Sequence, residues 1–298
     1  MVREARLAAD RRNTVLRLPA KTTLCMQERD RPMFGFFKRT PLIEPAVMDW
    51  QFDCFEWLLK NTGGFKVFSE TVLVQPSSQF FPQQGMTGPE LAEALFLQVK
   101  EYAGMSDWPC KLEAQDEDPN PVVAPTLVVQ DAPSAPAGTF SAMAEGVVIT
   151  YNPGSISDPM SLIATFAHEL SHYLTGSFSE EPPGGWDNWE YAVDVTSVFL
   201  GFGIFAANSV VTFSQYAAFD SQGWRTSRSG YLSEAEVIHA LGIFAALGGI
   251  SQSEILEHLK PYLRGLYKRA CRELLGQRQR IERLKEVGAV ESHAIPNP

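Results

Sequence analysis

The chain has 298 residues, 45% of them hydrophobic and 20% charged, a globular composition with enough apolar mass for one large domain or two closely packed ones. Its formal net charge of −10, with no basic strip interleaved with aromatics, excludes a nucleic-acid binder held by phosphate contacts. Cys25, Cys54, Cys110 and Cys271 form no C-x-x-C pair, which argues against a zinc ribbon or a redox dithiol and predicts reduced thiols.

From Met1 to Arg31 the chain is basic but lacks the apolar core of a secretory signal, so a cytoplasmic address is expected. Met33-Phe34-Gly35 could serve as a start of its own, and residues 1–32 are expected to be a disordered extension or the product of a mis-assigned start codon. Asp49 to Leu59 is predicted to be a helix, ended by Asn61-Thr62-Gly63-Gly64, and Phe65 to Val74 a strand from its period-two alternation. Gly88 to Tyr102 has the pattern of an amphipathic helix. Pro109 to Glu113 and Pro125 to Gln130 are predicted strands on either side of an acidic, proline-rich loop. Gly146 to Tyr151, rich in β-branched residues and stopped by Asn152-Pro153-Gly154, is a further strand.

Asp158-Pro159 is a strong helix start, because the aspartate accepts from free N–H groups of the first turn and proline needs no donor there. Apolar residues at three- and four-residue spacing carry this helix to Gly176, the expected stop. A second helix is predicted to open at Asp187. The most apolar stretch, Val195 to Val211, is interrupted by Thr196, Gly201, Gly203 and Asn208, which predicts a buried helix and no membrane span. Asp220 to Gly230 is expected to be a loop, and Ser233 to cap a helix ending near Leu247, with Glu236 at its third position. From Ser251 to Val287 the pattern stays helical, broken by Pro261 and weakened at Gly276, and the alternating charges of Lys268 to Glu286 predict a solvated face. The expected organisation is a disordered extension over 1–32, an α+β metal-binding region over 33–219, a helical subdomain over 220–287 and a disordered tail over 288–298.

One segment declares chemistry. His168-Glu169-Leu170-Ser171-His172 is an H-E-x-x-H sequence inside the helix that starts at Pro159. Residues four apart share one helix face, so both imidazoles can reach one ion while Glu169 projects beside them. A catalytic zinc needs a third protein ligand. Glu190 is the leading choice, since Gly176, Pro182, Pro183, Gly184 and Gly185 let the second helix fold back on the first. Asp194, four residues on, could accept the distal N–H of a liganding histidine and fix its tautomer. Both have plainer readings: Glu190 as the acid of a capping box headed by Asp187, and Asp194 as a paired surface carboxylate. His239, His258 and Asp187 compete as the third ligand. Of these, His239 fits a hydrogen-bonded histidine between helices, although it could also steady a transition state, and His258 fits a surface residue.

At His168, Glu169, His172, Glu190 and Asp194 the chain resembles the zincin metallopeptidases, and among them the gluzincins, whose H-E-x-x-H is followed by E-x-x-x-D on a later helix. The resemblance spans roughly residues 140 to 206. It implies an α+β fold with a mixed sheet packed on the metal-binding helix, a mainly helical carboxy-terminal part, Zn2+ as cofactor and a peptide or protein as substrate. It also implies an edge strand along the cleft to which a substrate backbone adds, a role for which Gly146 to Tyr151 is the expected strand. Glu169 would take a proton from the attacking water and return it to the departing amine. The oxyanion-binding residue is left open among Tyr191, Tyr216, Tyr231 and His239. Two functions follow: a zinc peptidase, or a catalytically silent binding or regulatory module on the same scaffold.

Overall fold

The computed structural model describes residues 40–83, 85–115, 138–143, 146–217 and 232–288. The sequence expectations for residues 1–32, 125–130, 220–230 and the last ten residues lie outside these. The helices are α1 (Pro45–Thr62), α2 (Gly64–Phe68), α3 (Gly88–Tyr102), α4 (Pro159–Gly176), α5 (Trp189–Ser197), α6 (Gly203–Ala217), α7 (Glu234–Gly248), α8 (Gln252–His258), α9 (Leu263–Leu274) and α10 (Arg278–Lys285). Three strands, β1 (Cys110–Ala114), β2 (Gly138–Met143) and β3 (Gly146–Tyr151), lie between α3 and α4. The chain is thus α+β with a small sheet and a largely helical carboxy-terminal part.

The sheet is mixed, in the order β1-β3-β2. β1 runs parallel to β3 with Cys110 opposite Val147, and β2 runs antiparallel to it with Gly138 opposite Tyr151. This overturns the expectation that Gly146 to Tyr151 is an edge strand. Its β-branched residues suit a strand paired on both sides, and the alternation that marks a strand says nothing about which neighbours it acquires. Among the described residues the outer strands are β1 and β2, and α4 lies against both β2 and β3.

A second correction concerns Phe65 to Val74. Gly63 and Gly64 both have positive φ (103° and 79°), and the chain turns straight into the one-turn helix α2. Phe65 and Phe68 are three apart, a helical spacing, while Phe65 and Val67 alternate as in a strand, and a run this short cannot separate the two periods. Phe68 packs against Phe199 and Phe244, at 4.9 and 5.4 Å between ring centroids.

Among the described residues the buried apolar side chains form two cores. One gathers α1, α2, the inward face of α5 and the helices from α6 onward, with Phe55, Leu58, Val195, Ile238 and Leu241 fully buried. The other joins α3, β3 and α4 through Leu95, Phe96, Ile149, Leu162 and Phe166, with Phe202 and Phe205 reaching across to it. The predicted helix over Val195 to Val211 is divided between α5 and α6 by a π-helical turn, Val198–Phe202, in which Gly201 has φ 99°. A Cβ at Gly201 would run into the carbonyl oxygen of Val72, and the Gly201 carbonyl accepts from Val74 N–H at 3.0 Å. Only glycine meets both the conformation and the approach. Trp186–Val210 is long and apolar enough to cross a membrane, but 89% of its most apolar window is buried inside the fold.

The carboxy-terminal half follows its sequence closely. Ser233 and Glu236 form a reciprocal capping box at the start of α7. Pro261 falls in the break between α8 and α9, and Gly276 in a 3-10 turn, Leu275–Gln277, between α9 and α10. The outer faces of α9 and α10 are mostly solvated, while Ala270, Leu274, Ile281 and Leu284 turn inward.

Candidate metal centre

Helix α4 is built as its sequence demands. The Asp158 side chain accepts from Ser161 N–H and from Ser161 Oγ–H (2.6 Å), and Pro159 occupies the first turn. The helix differs at its end: it runs through Gly176 and closes on Ser177 in a right-handed conformation, whose hydroxyl donates to the Leu174 carbonyl. Gly176 is therefore not a left-handed cap. Packing against β3, α3 and α5 buries fourteen of the helix's residues, including His168, Glu169 and His172. A helix clamped on three sides holds its side chains in few rotamers, which is what a ligand pair requires.

His168 and His172 turn toward one another, with their Nε2 atoms 3.2 Å apart. Glu190, the second residue of α5, brings Oε2 to 3.4 Å from His172 Nε2 and 3.7 Å from His168 Nε2. The three residues offer donor atoms that all lie within 4.8 Å of one another, and among the described residues they form the one such group that could hold a metal ion. Two imidazoles and a carboxylate could coordinate a divalent cation. On the other side of the ring, His168 Nδ1–H donates to Asp194 Oδ1 at 3.1 Å. Asp194 Oδ2 accepts from the backbone N–H of Leu232 at 2.8 Å, so the segment entering α7 holds the carboxylate that holds the imidazole.

The capping box headed by Asp187, the plainer alternative for Glu190, does not form. Trp186–Asn188 form a 3-10 turn, Asn188 precedes the helix without a side-chain cap, and α5 begins two residues after Asp187. Glu190 is thereby freed from capping and turned toward the histidines. His239 lies in the other core, fully buried, its Nδ1–H donating to Gln51 Oε1 at 2.6 Å; Gln51 in turn donates to the Glu236 carbonyl. His258 is half-buried at the end of α8 and Asp187 is exposed. None of these three joins the cluster. Tyr191 packs edge-on against Trp50 at 6.4 Å. Tyr231 and the Tyr216 side chain fall outside the described residues, so the oxyanion role stays unassigned.

Electrostatics divides the site. Burial works against a charged His168, but hydrogen bonds to Asp194 and Glu190 outweigh it and raise the imidazole pKa from 6.5 to about 10. Burial also opposes a charged Glu190, yet hydrogen bonds from His168 and His172 prevail and hold its carboxyl well below the usual range. Glu169 goes the other way: its buried position pushes the carboxyl up, only partly countered by the two histidines. Two carboxylates beside one pair of imidazoles, Glu190 and Glu169, are thus pushed in opposite directions by their surroundings.

Sequence reasoning missed two contributors. The Leu232 N–H is a backbone group 38 residues from Asp194, and no side-chain pattern signals it. Trp189, adjacent to Glu190, packs edge-on against His172 with ring centroids 5.0 Å apart, and no spacing rule marks an aromatic residue beside a ligand. No protein-family model, curated protein or solved structure matches the chain. The resemblance to the gluzincins therefore rests on five residues and their arrangement.

Proposed function

We propose that the chain is a zinc-dependent peptide hydrolase in which His168, His172 and Glu190 hold the metal and Glu169 moves the proton. One observation carries this reading: the spacing of the three donors. A tetrahedral zinc about 2.0–2.1 Å from each ligand requires ligand atoms about 3.3–3.4 Å apart, and the three separations here are 3.2, 3.4 and 3.7 Å. Three protein ligands leave one tetrahedral corner for solvent or substrate. A zinc ion held there supplies a Lewis acid for a carbonyl oxygen and lowers the pKa of a water to about 7.

The chain's own residues do the rest. Asp194 fixes the His168 tautomer so that Nε2 presents its lone pair toward the other two donors. Glu169 is buried and its carboxyl is pushed up, which suits a group that accepts a proton from the attacking water and returns it to the departing amine near neutral pH. For the substrate, β2 is an outer strand among the described residues and lies against α4, and an outer strand offers backbone groups to which an extended peptide can pair. That role belongs to β2 rather than to β3.

The test pairs metal content with turnover. Wild type purified with zinc and cleaving members of a peptide library, with Glu169→Gln retaining zinc but losing cleavage by a factor of at least about 100, supports the reading. Zinc without wild-type cleavage overturns the hydrolase and leaves a metal-binding module. No zinc uptake overturns the centre itself.

A further inference from the structure

We propose that Trp189 is a positioning residue for the metal centre: its indole sets the orientation of the His172 imidazole. The inference rests on the metal-centre reading above. Trp189 opens α5 immediately before Glu190, and its ring stands nearly perpendicular to that of His172, at 84° with centroids 5.0 Å apart. In this geometry the edge of one ring meets the face of the other, the favoured contact for two aromatic quadrupoles. Rotation of His172 about its side-chain bonds would break it.

The indole is itself tied down. Its Nε1–H donates to Thr175 Oγ1 at 2.9 Å, and the Thr175 hydroxyl donates to the Ser171 carbonyl at 2.8 Å. Thr175 is 1% exposed, so turning the indole away would take from the buried hydroxyl oxygen the N–H it accepts, and from the indole N–H its acceptor. On its outer side Trp189 meets Trp186 edge-on, at 5.6 Å and 87°. At Gly176, a Cβ would come within 4.0 Å of the indole ring, leaving the ring in contact but not displaced.

His168 is aligned through a nitrogen, by Asp194; His172 meets Trp189 at the side of its ring. Because Trp189 also precedes Glu190, one residue couples the ring angle of the second ligand to the arrival of the third. The Thr175–Trp189 hydrogen bond is a direct side-chain tie from α4 to the start of α5.

The experiment compares full-length wild type with Trp189→Leu, Trp189→Phe and Thr175→Val. Zinc affinity is measured by chelator competition at fixed pH, the visible absorption bands of the Co2+-loaded protein report ligand geometry, and thermal unfolding of the metal-free protein reports folding. Trp189→Leu should weaken zinc about tenfold and shift the cobalt bands, at the upper end of what one edge-on aromatic contact carries. Trp189→Phe, which keeps an aromatic ring but lacks the N–H, should restore the cobalt bands and bring zinc affinity back to within about threefold of wild type, and Thr175→Val should weaken zinc about threefold. Unchanged affinity in Trp189→Leu, or weaker binding with unchanged cobalt bands, overturns the positioning role. If Trp189→Leu does not fold, Thr175→Val decides by the same two readings. Wild type that takes up no metal defeats the centre itself, whereas wild type and variants that bind alike defeat only the role of Trp189.

Discussion

His168 and His239 are both buried, both in the middle of apolar helices, and each donates through Nδ1 to a side-chain oxygen. Their surroundings separate them. His168 donates a hydrogen bond to the carboxylate of Asp194 with Glu190 beside it, and its pKa rises to about 10. His239 donates to the amide oxygen of Gln51, and burial lowers its pKa to about 4. A carboxylate partner makes a cationic ring, or a ring ready for a cation; an amide partner in an apolar core makes a neutral structural ring. Burial alone does not identify a functional histidine. The charge of what faces it does.

The sharpest way to break this contrast is to remove the third donor. Glu190→Ala should cost more than about a hundredfold in zinc affinity, beyond the range seen for outer partners of a ligand, while His239→Gln should leave affinity within about twofold, as expected for a site with no shared partners. Equal losses in the two variants, measured by chelator competition, would erase the distinction.

A second contrast is in pH. The folded-state pKa of His239 lies below its unfolded value of 6.5, so over the window from 6.5 down to about 4 the unfolded chain binds a proton that the folded chain refuses. Stability therefore falls as pH drops through that window, by about 3 kcal/mol if the whole shift is realised. Urea unfolding of metal-free wild type at pH 7 and pH 4, set against His239→Gln, isolates this contribution from the carboxylates. A wild type no steeper than the variant would mean that His239 takes up its proton in the fold. His168 has the opposite sign: its raised pKa favours the folded metal-free protein below 6.5, and this benefit fades as pH rises toward about 10.

The smallest of the three effects tests the carboxylate that makes His168 different. Asp194→Asn keeps the shape but removes the charge, and should weaken zinc by about 10–100-fold. An undiminished affinity would show that the Leu232–Asp194–His168 chain aligns nothing.

How much of this was legible depended on whether a feature is written in local periodicity or in approach. The Asp158-Pro159 start of α4, the His168–His172 spacing, the Ser233–Glu236 capping box and the break at Pro261 are all local. Each follows from one turn of helix geometry, and each stands where its residues predict. The failures were of two kinds. Phe65 to Val74 was too short for period two to be told from period 3.6, and Gly63-Gly64 decided it. Gly146 to Tyr151 was correctly a strand but not an edge, because pairing partners are chosen by the whole sheet.

The candidate centre shows the same division. Its sequence alone determined that two imidazoles share a face of one rigid helix, since a four-residue spacing on an α-helix admits little else. Whether a carboxylate would meet them was not decided locally: Glu190 was the favoured third ligand, but a capping box headed by Asp187 would have kept it for its own helix. The 3-10 turn at Trp186–Asn188 and the packing of α5 on α4 sent Glu190 to the histidines instead. The start of α7 brought a distant backbone N–H to Asp194. Donor convergence is a property of three-dimensional packing, because the groups that meet lie on separate helices whose relative placement no short-range propensity encodes.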